Sequence, residues 1–508
     1  MASTHRNIIS NFIGNLWMAI LTAIIIPLQI NYLGIEAFAL VGLIGTLQLI
    51  FNILDLGLST SIIRVIASDH SIDKQESTGI VNTAMIFYWL MAFLIAIFIL
   101  INSKYIANNF LNQSSLPYET IAQAIFIIGL SVAARWPVAL YMGILSGLKK
   151  QDTLNFIKVI CISLRLGGGI IIVILTRDIL VFLYWILFCS IFEIAYYYYV
   201  CRLHTPKKYY QIRLELASLK KIWKFSLAMN IIAILSMILI NIDKIFVSKI
   251  MSLEDLGYYY LAYNVAVCLT LIQSSINSAM FPTLSEEFSK NNRDNFKNKY
   301  INITQLTIYV VALPAFIMIF YSYEGLVLWV GEEAASGSSL VMAILAIGFL
   351  ITASISNSYI ASIAAGKPLI AIKINIIAII FYIPLMYFLI IEYGIVGASI
   401  CWLILNVYYL FVQVPINHKL VFNIKYFNWL LKYFIPYMLL GIICFGGSKL
   451  ILNITGLYTE ILPIFILLLI SAITYSIIGY NLLSKSIRKD IEQFLRQIRI
   501  LLLQYYRN

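Results

Sequence analysis

The sequence contains few charged residues. Only 11% of its 508 residues are Asp, Glu, Lys or Arg, whereas 61% are hydrophobic and the mean hydropathy is +0.91. Soluble domains hold about 45–50% apolar residues, so this composition excludes a soluble globular protein. The chain is therefore expected to be a polytopic membrane protein, and its spans are expected to be helices, which satisfy their own backbone hydrogen bonds in lipid.

Cysteine and histidine are also scarce, with six and four residues. The cysteines are scattered through apolar runs without CxxC spacing, so neither a disulfide framework nor a metal site is indicated. All four histidines fall in predicted tails or loops, which argues against zinc-dependent or histidine-based catalysis, and no Walker motif indicates ATP use. The sequence therefore predicts no metal and no cofactor.

Long apolar runs dominate the chain. Fourteen runs of roughly 20 residues or more can be drawn, each long enough to cross ~30 Å of hydrocarbon as a helix. They lie near residues 8–33, 37–66, 79–101, 119–146, 153–175, 178–201, 222–248, 255–284, 302–323, 336–364, 368–391, 393–416, 429–453 and 458–481. The first run is too long and too polar at its start for a cleaved signal peptide. The predicted fold is an all-α polytopic membrane protein with about 14 transmembrane helices.

The lysines and arginines predict the orientation in the membrane. If the N-terminus is cytoplasmic, 28 of the 35 basic residues lie in cytoplasmic segments, and the outer loops hold Lys104, Arg177, Lys249 and Lys449. Both termini are therefore expected in the cytoplasm. The net charge of +12 follows from this topology, so a nucleic-acid partner is not expected.

The chain contains a weak internal repeat. A shift of 218 places GIEAFALVGL (34–43) on SLEDLGYYYL (252–261) and Lys149 on Lys367. Such a repeat is typical of transporters built from two lobes related by an axis along the membrane normal. The predicted parts are an N-terminal six-helix lobe, a cytoplasmic linker, a C-terminal six-helix lobe, an extra helix pair and a cytoplasmic amphipathic helix, at residues 1–203, 204–221, 222–417, 429–481 and 485–508.

Polar residues form stripes on the first two predicted helices of each lobe. The helical period of 3.6 places them on one face of each helix, and the repeat aligns the stripes of the two lobes. The stripes contain Asn11, Asn15, Gln48, Asn52 and Asp55 in the first lobe and Asn230, Asn241, Gln273 and Asn277 in the second. One interpretation is that these side chains hold helices together by hydrogen bonds. The symmetric repetition favours the other, in which the four stripes line a water-filled cavity between the lobes and bind sugar hydroxyls.

Two arginines lie deep in predicted helices. Arg135 is close to Pro137, which is expected to kink the helix, and Arg165 precedes three glycines that permit close helix approach. Neither side chain is long enough to reach the water outside, so each must face a cavity or a buried acid, and Glu193 is the nearby candidate. One interpretation is a structural ion pair between Arg165 and Glu193. In the other, the guanidinium groups bind a phosphate or diphosphate.

Three further charged residues are candidates. Lys244 lies on the polar stripe of its helix near the outer end, where it either binds an anionic group or extends to the membrane surface. Arg64 lies near a cytoplasmic end, as an interfacial anchor, an interhelical partner or a diphosphate ligand. Asp55 is the hypothetical protonatable group if transport is coupled to an ion gradient.

Several stretches resemble one known family. LGIEAFALVGL (33–43), LDLGLSTSIIRVIA (54–67), residues 225–266 and FPTLSEEF (281–288) are similar to the bacterial polysaccharide flippases, the O-antigen and capsule repeat-unit translocases. These belong to the multidrug/oligosaccharidyl-lipid/polysaccharide exporter superfamily. The resemblance implies two six-helix lobes around a cationic cavity that opens alternately to each side of the bacterial inner membrane.

The resemblance also implies a cargo and partners. The cargo is an oligosaccharide repeat unit on undecaprenyl diphosphate, and the partners are membrane lipids and the polysaccharide polymerase and chain-length machinery. By this analogy the basic residues would meet the diphosphate, the amide stripes the sugars, and the extra helix pair the lipid tail. The alternative is a multidrug cation antiporter or a lipid II flippase of the same superfamily. An enzyme is not expected, because the outer loops are short and hold no acid cluster.

Overall fold

The chain is built of helices. The computed structural model describes residues 2–55, 58–67, 74–110, 114–206, 209, 216–290, 292–457, 460–489, 491–493 and 496. All regular structure in these ranges is helical and no strand occurs in them, so the all-α prediction is confirmed. Within the same ranges nine helices are long and apolar enough to cross a membrane, or ten if one bent pair forms a single span. The protein is therefore a multi-pass membrane protein, and the total of fourteen spans stays a prediction.

The first compact unit extends over Met1–Tyr260. It contains α1 (Ala2–Leu33), α2 (Ile35–Asn52), α3 (Leu58–Ala67), α4 (Lys74–Phe110), α5 (Tyr118–Arg135), α6 (Val138–Gly147), α7 (Gln151–Ile162), α8 (Gly168–Thr176), α9 (Ile179–His204), α10 (Leu216–Ile250) and the first part of α11 (Leu253–Ala266). Helix α10 packs on α2, α3 and α4. This unit is defined by packing, whereas the predicted lobes follow the sequence repeat and stay a prediction.

The predicted span at 37–66 is not one continuous helix. Helix α2 ends at Asn52, a 3₁₀ turn covers Ile53–Asp55, and α3 begins at Leu58. The sequence at the break contains Asp55 and Gly57, which are poor helix formers. The single-helix prediction is wrong here, and the angular positions that it gave to residues beyond Asp55 do not apply.

The helix is interrupted at Pro137, where the sequence predicts a kink. Helix α5 ends at Arg135 and α6 begins at Val138, and together they form one apolar span. Proline has no backbone N–H to continue the helical hydrogen bonds, and its ring clashes with the preceding turn. Trp136, in the bend, is 4% exposed and its Nε1 donates to the backbone oxygen of Phe51 at 3.0 Å. The bend therefore packs against the end of α2.

Two glycines allow α2 and α11 to pack closely. A Cβ atom on Gly42 would lie 2.6 Å from the ring of Tyr260, and one on Gly257 would lie 2.5 Å from the backbone oxygen of Ile35. The hydroxyl groups of Thr46 and Tyr260 are hydrogen bonded at 2.6 Å beside this contact. A larger residue at Gly257 would overlap the backbone of α2, and one at Gly42 would displace the ring of Tyr260.

We expect Gly257→Ala to lower the free energy of unfolding by about 1–3 kcal/mol, because the added methyl group would overlap the backbone of α2. Thermal unfolding of the purified protein in detergent measures the change. Gly45→Ala is the matched control, since it lies on α2 with no atom within 4 Å of the added Cβ. Equal stability of the two variants would contradict the close packing.

The second compact unit extends over Leu261–Asn508. After the end of α11 it contains α12 (Leu269–Ser289), α13 (Arg293–Phe320), α14 (Ser322–Val330), α15 (Glu332–Ala364), α16 (Pro368–Tyr408), α17 (Val414–Asn417), α18 (Tyr426–Trp429), α19 (Ile435–Gly441), α20 (Gly447–Thr455) and α21 (Ile461–Leu482). Stretches of π-helix join α16 to α20, and α16 is kinked at Gly394, where φ is +58°. Helix α13 packs on α12 and α15.

One histidine lies elsewhere than predicted. His418 is fully buried in the π-helical turn His418–Phe422, and its Nε2 lies 2.8 Å from the hydroxyl group of Tyr300. The prediction of a loop is wrong at this position, because the helical structure continues past the predicted end of the span at 416. The aromatic rings of Tyr300 and Phe422 enclose the imidazole. Because it is buried among these rings, His418 has a structural role in the core of the second unit.

The predicted amphipathic helix at 485–508 lies largely outside the described residues. Within them, residues 485–489 are helical, and Ile487 is 4% exposed in the core of the second unit. Ser484 fixes the start of this segment, because its Oγ donates to Oδ1 of Asn302 at 3.0 Å. The segment therefore begins packed on α13, and its placement at the membrane surface stays a prediction.

Candidate functional site

Two arginines and one glutamate meet inside the first unit. Arg135 donates from Nε to Oε2 of Glu193 at 2.9 Å and from Nη1 to Oε1 of Gln48 at 2.7 Å. Arg165 donates from Nη2 to the same Oε2 of Glu193. The side chains of Arg135, Arg165 and Glu193 are 20%, 16% and 10% exposed. We call Arg135, Arg165, Glu193 and Gln48 the arginine cluster.

The local backbone positions both arginines. Arg135 is the last residue of α5, directly before the bend at Pro137. Arg165 lies in the π-helical turn Ser163–Gly167, which widens the helix between α7 and α8. Insertions of this type inside helices often occur at functional sites. Both guanidinium groups thus extend from interruptions in otherwise regular helices.

Helix α8 approaches α9 through the glycines that follow Arg165. A Cβ atom on Gly168 would lie 2.3 Å from the Trp185 ring, so the close approach predicted from the glycines is confirmed. Nε1 of Trp185 donates to the backbone oxygen of Arg165 at 3.3 Å. Because α9 also carries Glu193, this packing brings the acid to the arginines.

The arginine cluster carries more positive than negative charge. Two guanidinium groups share the single carboxylate of Glu193, so the ion pair that one interpretation predicted is present and leaves one charge in excess. Nε of Arg165 is buried and has no hydrogen-bond partner among the described residues. A buried cation with unmet donors is unfavourable, and an anion with several oxygen atoms would satisfy it.

Asp55 belongs to a neighbouring polar group. Its Oδ2 accepts from Oγ of Ser59 at 2.8 Å, and its Oδ1 accepts from the hydroxyl group of Tyr88. Tyr88 is fully buried, and its ring packs against Trp136 at a centroid distance of 4.8 Å. Since Trp136 directly follows Arg135 in the chain, Asp55 connects to the arginine cluster through two packed aromatic rings.

Lys244 is buried in an ion pair. It is 3% exposed, and its Nζ lies 3.2 Å from Oδ1 of Asp243 and donates to the backbone oxygen of Ile240 at 2.8 Å. The hydroxyl group of Tyr259 in α11 donates to Oδ2 of Asp243 at 2.6 Å. The charge of Lys244 is therefore balanced within the first unit, and its role in binding diphosphate stays a prediction.

The remaining predicted site residues are less fully described. The side chains of Asn11, Asn15, Asn52, Arg64 and Asn230 lie outside the described residues. Nδ2 of Asn241 donates to the oxygen of its own helix turn, while its Oδ1 is buried with no partner among the described residues.

In the second unit, Gln273 and Asn277 lie on α12. Nδ2 of Asn277 lies 3.4 Å from Oγ of Ser356 in α15, and Oε1 of Gln273 is buried without a partner in the part of the chain that the structure describes. Asn277 thus contacts another helix, as the interhelical interpretation predicts. Contact of either residue with sugar stays a prediction.

The sequence places Ser59 on the polar stripe of Asp55 without pairing the two, and sequence reasoning missed Tyr88 and Trp136. Tyr88 lies in the apolar stretch MIFYWLMAF (85–93), where no polar periodicity distinguishes it from its aromatic neighbours. Trp136 adjoins Pro137. The kink predicted at this proline was the one indication in the sequence that Trp136 contacts another helix. An aromatic hydroxyl that binds a half-buried acid is apparent only in the folded chain.

Comparison with known families and sequences finds one matching family and one similar protein. Residues 4–288 match the model of a family described as polysaccharide biosynthesis protein. A Shigella flexneri protein described as "Putative O-antigen transporter" is 29% identical over 407 residues, which is 78% of this chain and 94% of that protein.

Solved structures share the fold. A lipid II flippase, MurJ, in an inward closed conformation matches with a TM-score of 0.71 and 15% identity over 92% of this chain and 98% of that chain. An inward-facing multidrug resistance transporter of the MATE family and MOP superfamily matches with a TM-score of 0.66 and 13% identity over 80% of this chain and 96% of that chain. At these identities the likeness shows the fold alone, that of this class of transporter.

Proposed function

Since this chain belongs to the polysaccharide biosynthesis protein family, we propose that it moves oligosaccharide repeat units linked to undecaprenyl diphosphate from the cytoplasmic to the periplasmic leaflet. The O-antigen transporter similarity over most of the chain supports a cargo of this class. The cargo serves surface polysaccharide biosynthesis, as O-antigen or capsule. The chain acts as a transporter by alternating access and carries out no chemical reaction.

The observation that carries the proposal is the excess positive charge of the arginine cluster. A diphosphate offers pairs of oxygen atoms that can accept the two parallel N–H hydrogen bonds of a guanidinium group. A site for drug cations would need the opposite sign of charge, because two like charges in a low dielectric repel each other strongly. The cluster therefore suits an anionic lipid head group better than a cationic drug.

The proposed setting is the bacterial inner membrane with both termini in the cytoplasm. The distribution of lysine and arginine in the sequence supports this orientation. The polysaccharide polymerase and chain-length machinery are proposed partners, because they act on the repeat unit after it reaches the periplasmic leaflet. No nucleic acid and no cofactor take part.

A bacterial host that builds a surface polysaccharide tests the proposal. The gene is deleted, the polymerase is kept, and the leaflet that holds the lipid-linked repeat unit is determined with a membrane-impermeant reagent that oxidises sugars. We expect the lipid-linked repeat unit to accumulate on the cytoplasmic leaflet of the deletion strain. Expression of the wild-type chain should restore its transfer to the periplasmic leaflet. Normal surface polysaccharide together with greater sensitivity to cationic drugs would contradict the proposal and support a multidrug antiporter.

We expect Asp55→Asn to remove the dependence of transport on pH or membrane potential while binding of the cargo persists. The carboxylate accepts hydrogen bonds from Ser59 and Tyr88. An amide of the same shape takes up no proton at physiological pH. Transport into vesicles at several imposed pH gradients measures the dependence. Asp178→Asn is a matched control, because this acid caps the start of α9, whereas Asp55 lies in the 3₁₀ turn after α2. An unchanged dependence in Asp55→Asn would exclude Asp55 from coupling.

A further inference from the structure

The first unit contains an apolar cavity beside the arginine cluster. Its volume is about 310 Å³, and residues of α2, α4, α5 and α10 line it. Most of the lining is aliphatic or aromatic, with Leu43, Leu47 and Ile50 from α2, Phe98 from α4, and Ile125 and Ile128 from α5. No function proposed above uses this space.

Of the four polar side chains at the cavity, those of Thr46, Asn102 and Ser248 have partners, and the fourth, Tyr105, is an aromatic ring with one hydroxyl group. Thr46 is hydrogen bonded to Tyr260, Asn102 donates to the backbone oxygen of Phe98, and Ser248 donates to that of Ile245. Water needs two to four polar partners to stay in a cavity, whereas a space of about 150 Å³ lined by Leu, Ile and Phe stays dry and accepts benzene. The present cavity is about twice that size, so hydrocarbon is the chemistry that fits it.

The cavity adjoins the outer face of α4. Phe98 and Tyr105 line it, and they are 53% and 62% exposed. In a membrane protein such an exposed apolar face lies against lipid, so a chain can enter the cavity sideways from the bilayer. A hydrocarbon chain that is already in the membrane would not have to cross water.

The cavity and the arginine cluster share two helices. On α2, Gln48 binds Arg135, and the adjacent Leu47 lines the cavity. On α5, Ile128 lines the cavity seven residues before Arg135, a distance of about 10 Å along the helix axis. An anionic group on the arginines could therefore be covalently joined to a chain in the cavity.

We infer that this cavity holds the isoprenoid units nearest the diphosphate of the lipid carrier while the arginine cluster holds the diphosphate. The inference rests on the proposed function and names a binding site for part of the same substrate. By volume, about two isoprene units fit, because the reference cavity of about 150 Å³ holds six carbon atoms. The rest of the chain stays in the bilayer beside α4.

Photocrosslinking of the full-length protein in lipid nanodiscs tests this inference. One probe is a polyprenyl diphosphate with a diazirine in the two isoprene units nearest the phosphate, and the other is a phospholipid with a diazirine in an acyl chain. Mass spectrometry maps the adducts on the wild-type protein. We expect the isoprenoid probe to label the residues that line the cavity, and an excess of unlabelled polyprenyl diphosphate to prevent that labelling.

A variant that fills the cavity provides a second readout. Leu47→Trp should reduce labelling there by about tenfold, the effect of losing the burial of about two methylene groups. Leu100→Trp is the matched control, since Leu100 is 59% exposed on α4 and does not line the cavity. If Leu47→Trp does not fold, the map on the wild-type protein decides the question without it.

Three outcomes would overturn the inference. They are no labelling of the cavity by the isoprenoid probe, equal labelling by the phospholipid probe that polyprenyl diphosphate does not prevent, and equal effects of the two tryptophan variants. Binding of inorganic pyrophosphate to the wild-type and Arg165→Ala proteins is measured in parallel. If pyrophosphate binding depends on Arg165 and the cavity is unlabelled, the cavity inference alone fails. If binding does not depend on Arg165, the proposed diphosphate site fails as well.

Discussion

Replacing Arg165 with alanine is expected to stop export of the repeat unit in a strain that depends on this chain. The variant loses the guanidinium whose Nε lacks a partner among the described residues, while Glu193 keeps its contact with Arg135. Loss of one partner of a buried charged hydrogen bond costs about 2–5 kcal/mol, which weakens pyrophosphate binding roughly 30-fold or more. Surface polysaccharide on cells and pyrophosphate affinity of the purified protein are the measurements. Arg135→Ala should act in the same direction.

The control for this prediction is another arginine of the same unit. The guanidinium of Arg177 lies over the ring of Tyr32, 5.1 Å from its centroid, and has no contact with Glu193. Arg177→Ala should therefore leave export and pyrophosphate affinity unchanged. Arg165→Lys keeps the charge without the planar fork and should fall between wild type and Arg165→Ala. Normal export by a folded Arg165→Ala protein would contradict the proposed site.

Replacing Glu193 with glutamine is expected to lower the free energy of unfolding by about 3–5 kcal/mol, because two largely buried guanidinium groups lose their shared carboxylate. Added pyrophosphate should then stabilise this variant more than the wild type, since the arginines no longer hold an internal anion and ligand binding shifts unfolding by mass action. Thermal unfolding with and without pyrophosphate measures both effects.

Glu333→Gln serves as the matched control for Glu193→Gln. Glu333 lies exposed in the first turn of α15, and its replacement should change stability little. If Glu193→Gln has wild-type stability, the cluster is not held by this carboxylate. If pyrophosphate stabilises neither protein, the cluster does not bind diphosphate.

Part of the site could be predicted from the sequence for simple physical reasons. A charged residue deep in an apolar run needs a partner, and Glu193 was the acid available to Arg165 and Arg135. Proline predicted the bend after α5, and the glycines after Arg165 predicted close approach to α9. These predictions depend on single residues, each of which raises the free energy of a regular membrane helix by a large amount.

The rest depends on packing that periodicity does not encode. The break after α2 changes the face on which later residues lie, so the stripe containing Asp55 could not be extended by a 3.6-residue period. The π-helical turn at Arg165 shifts that side chain relative to a regular helix. The contact of Tyr88 with Asp55 joins α4 to the 3₁₀ turn after α2, and the two residues lie 33 positions apart in the sequence.

The contact between Gly42 and Tyr260 has a consequence for the ancestry of the chain. The two residues are 218 positions apart, the same shift that aligns the predicted halves of the sequence, so they would occupy equivalent places in the predicted repeat and yet face each other. A dimer of two identical copies would bring the same residue to both places. Two tyrosines would then collide, and two glycines would leave a gap. Gene duplication followed by divergence allows a small residue to be fitted against a large one, which a symmetric ancestor would not have had.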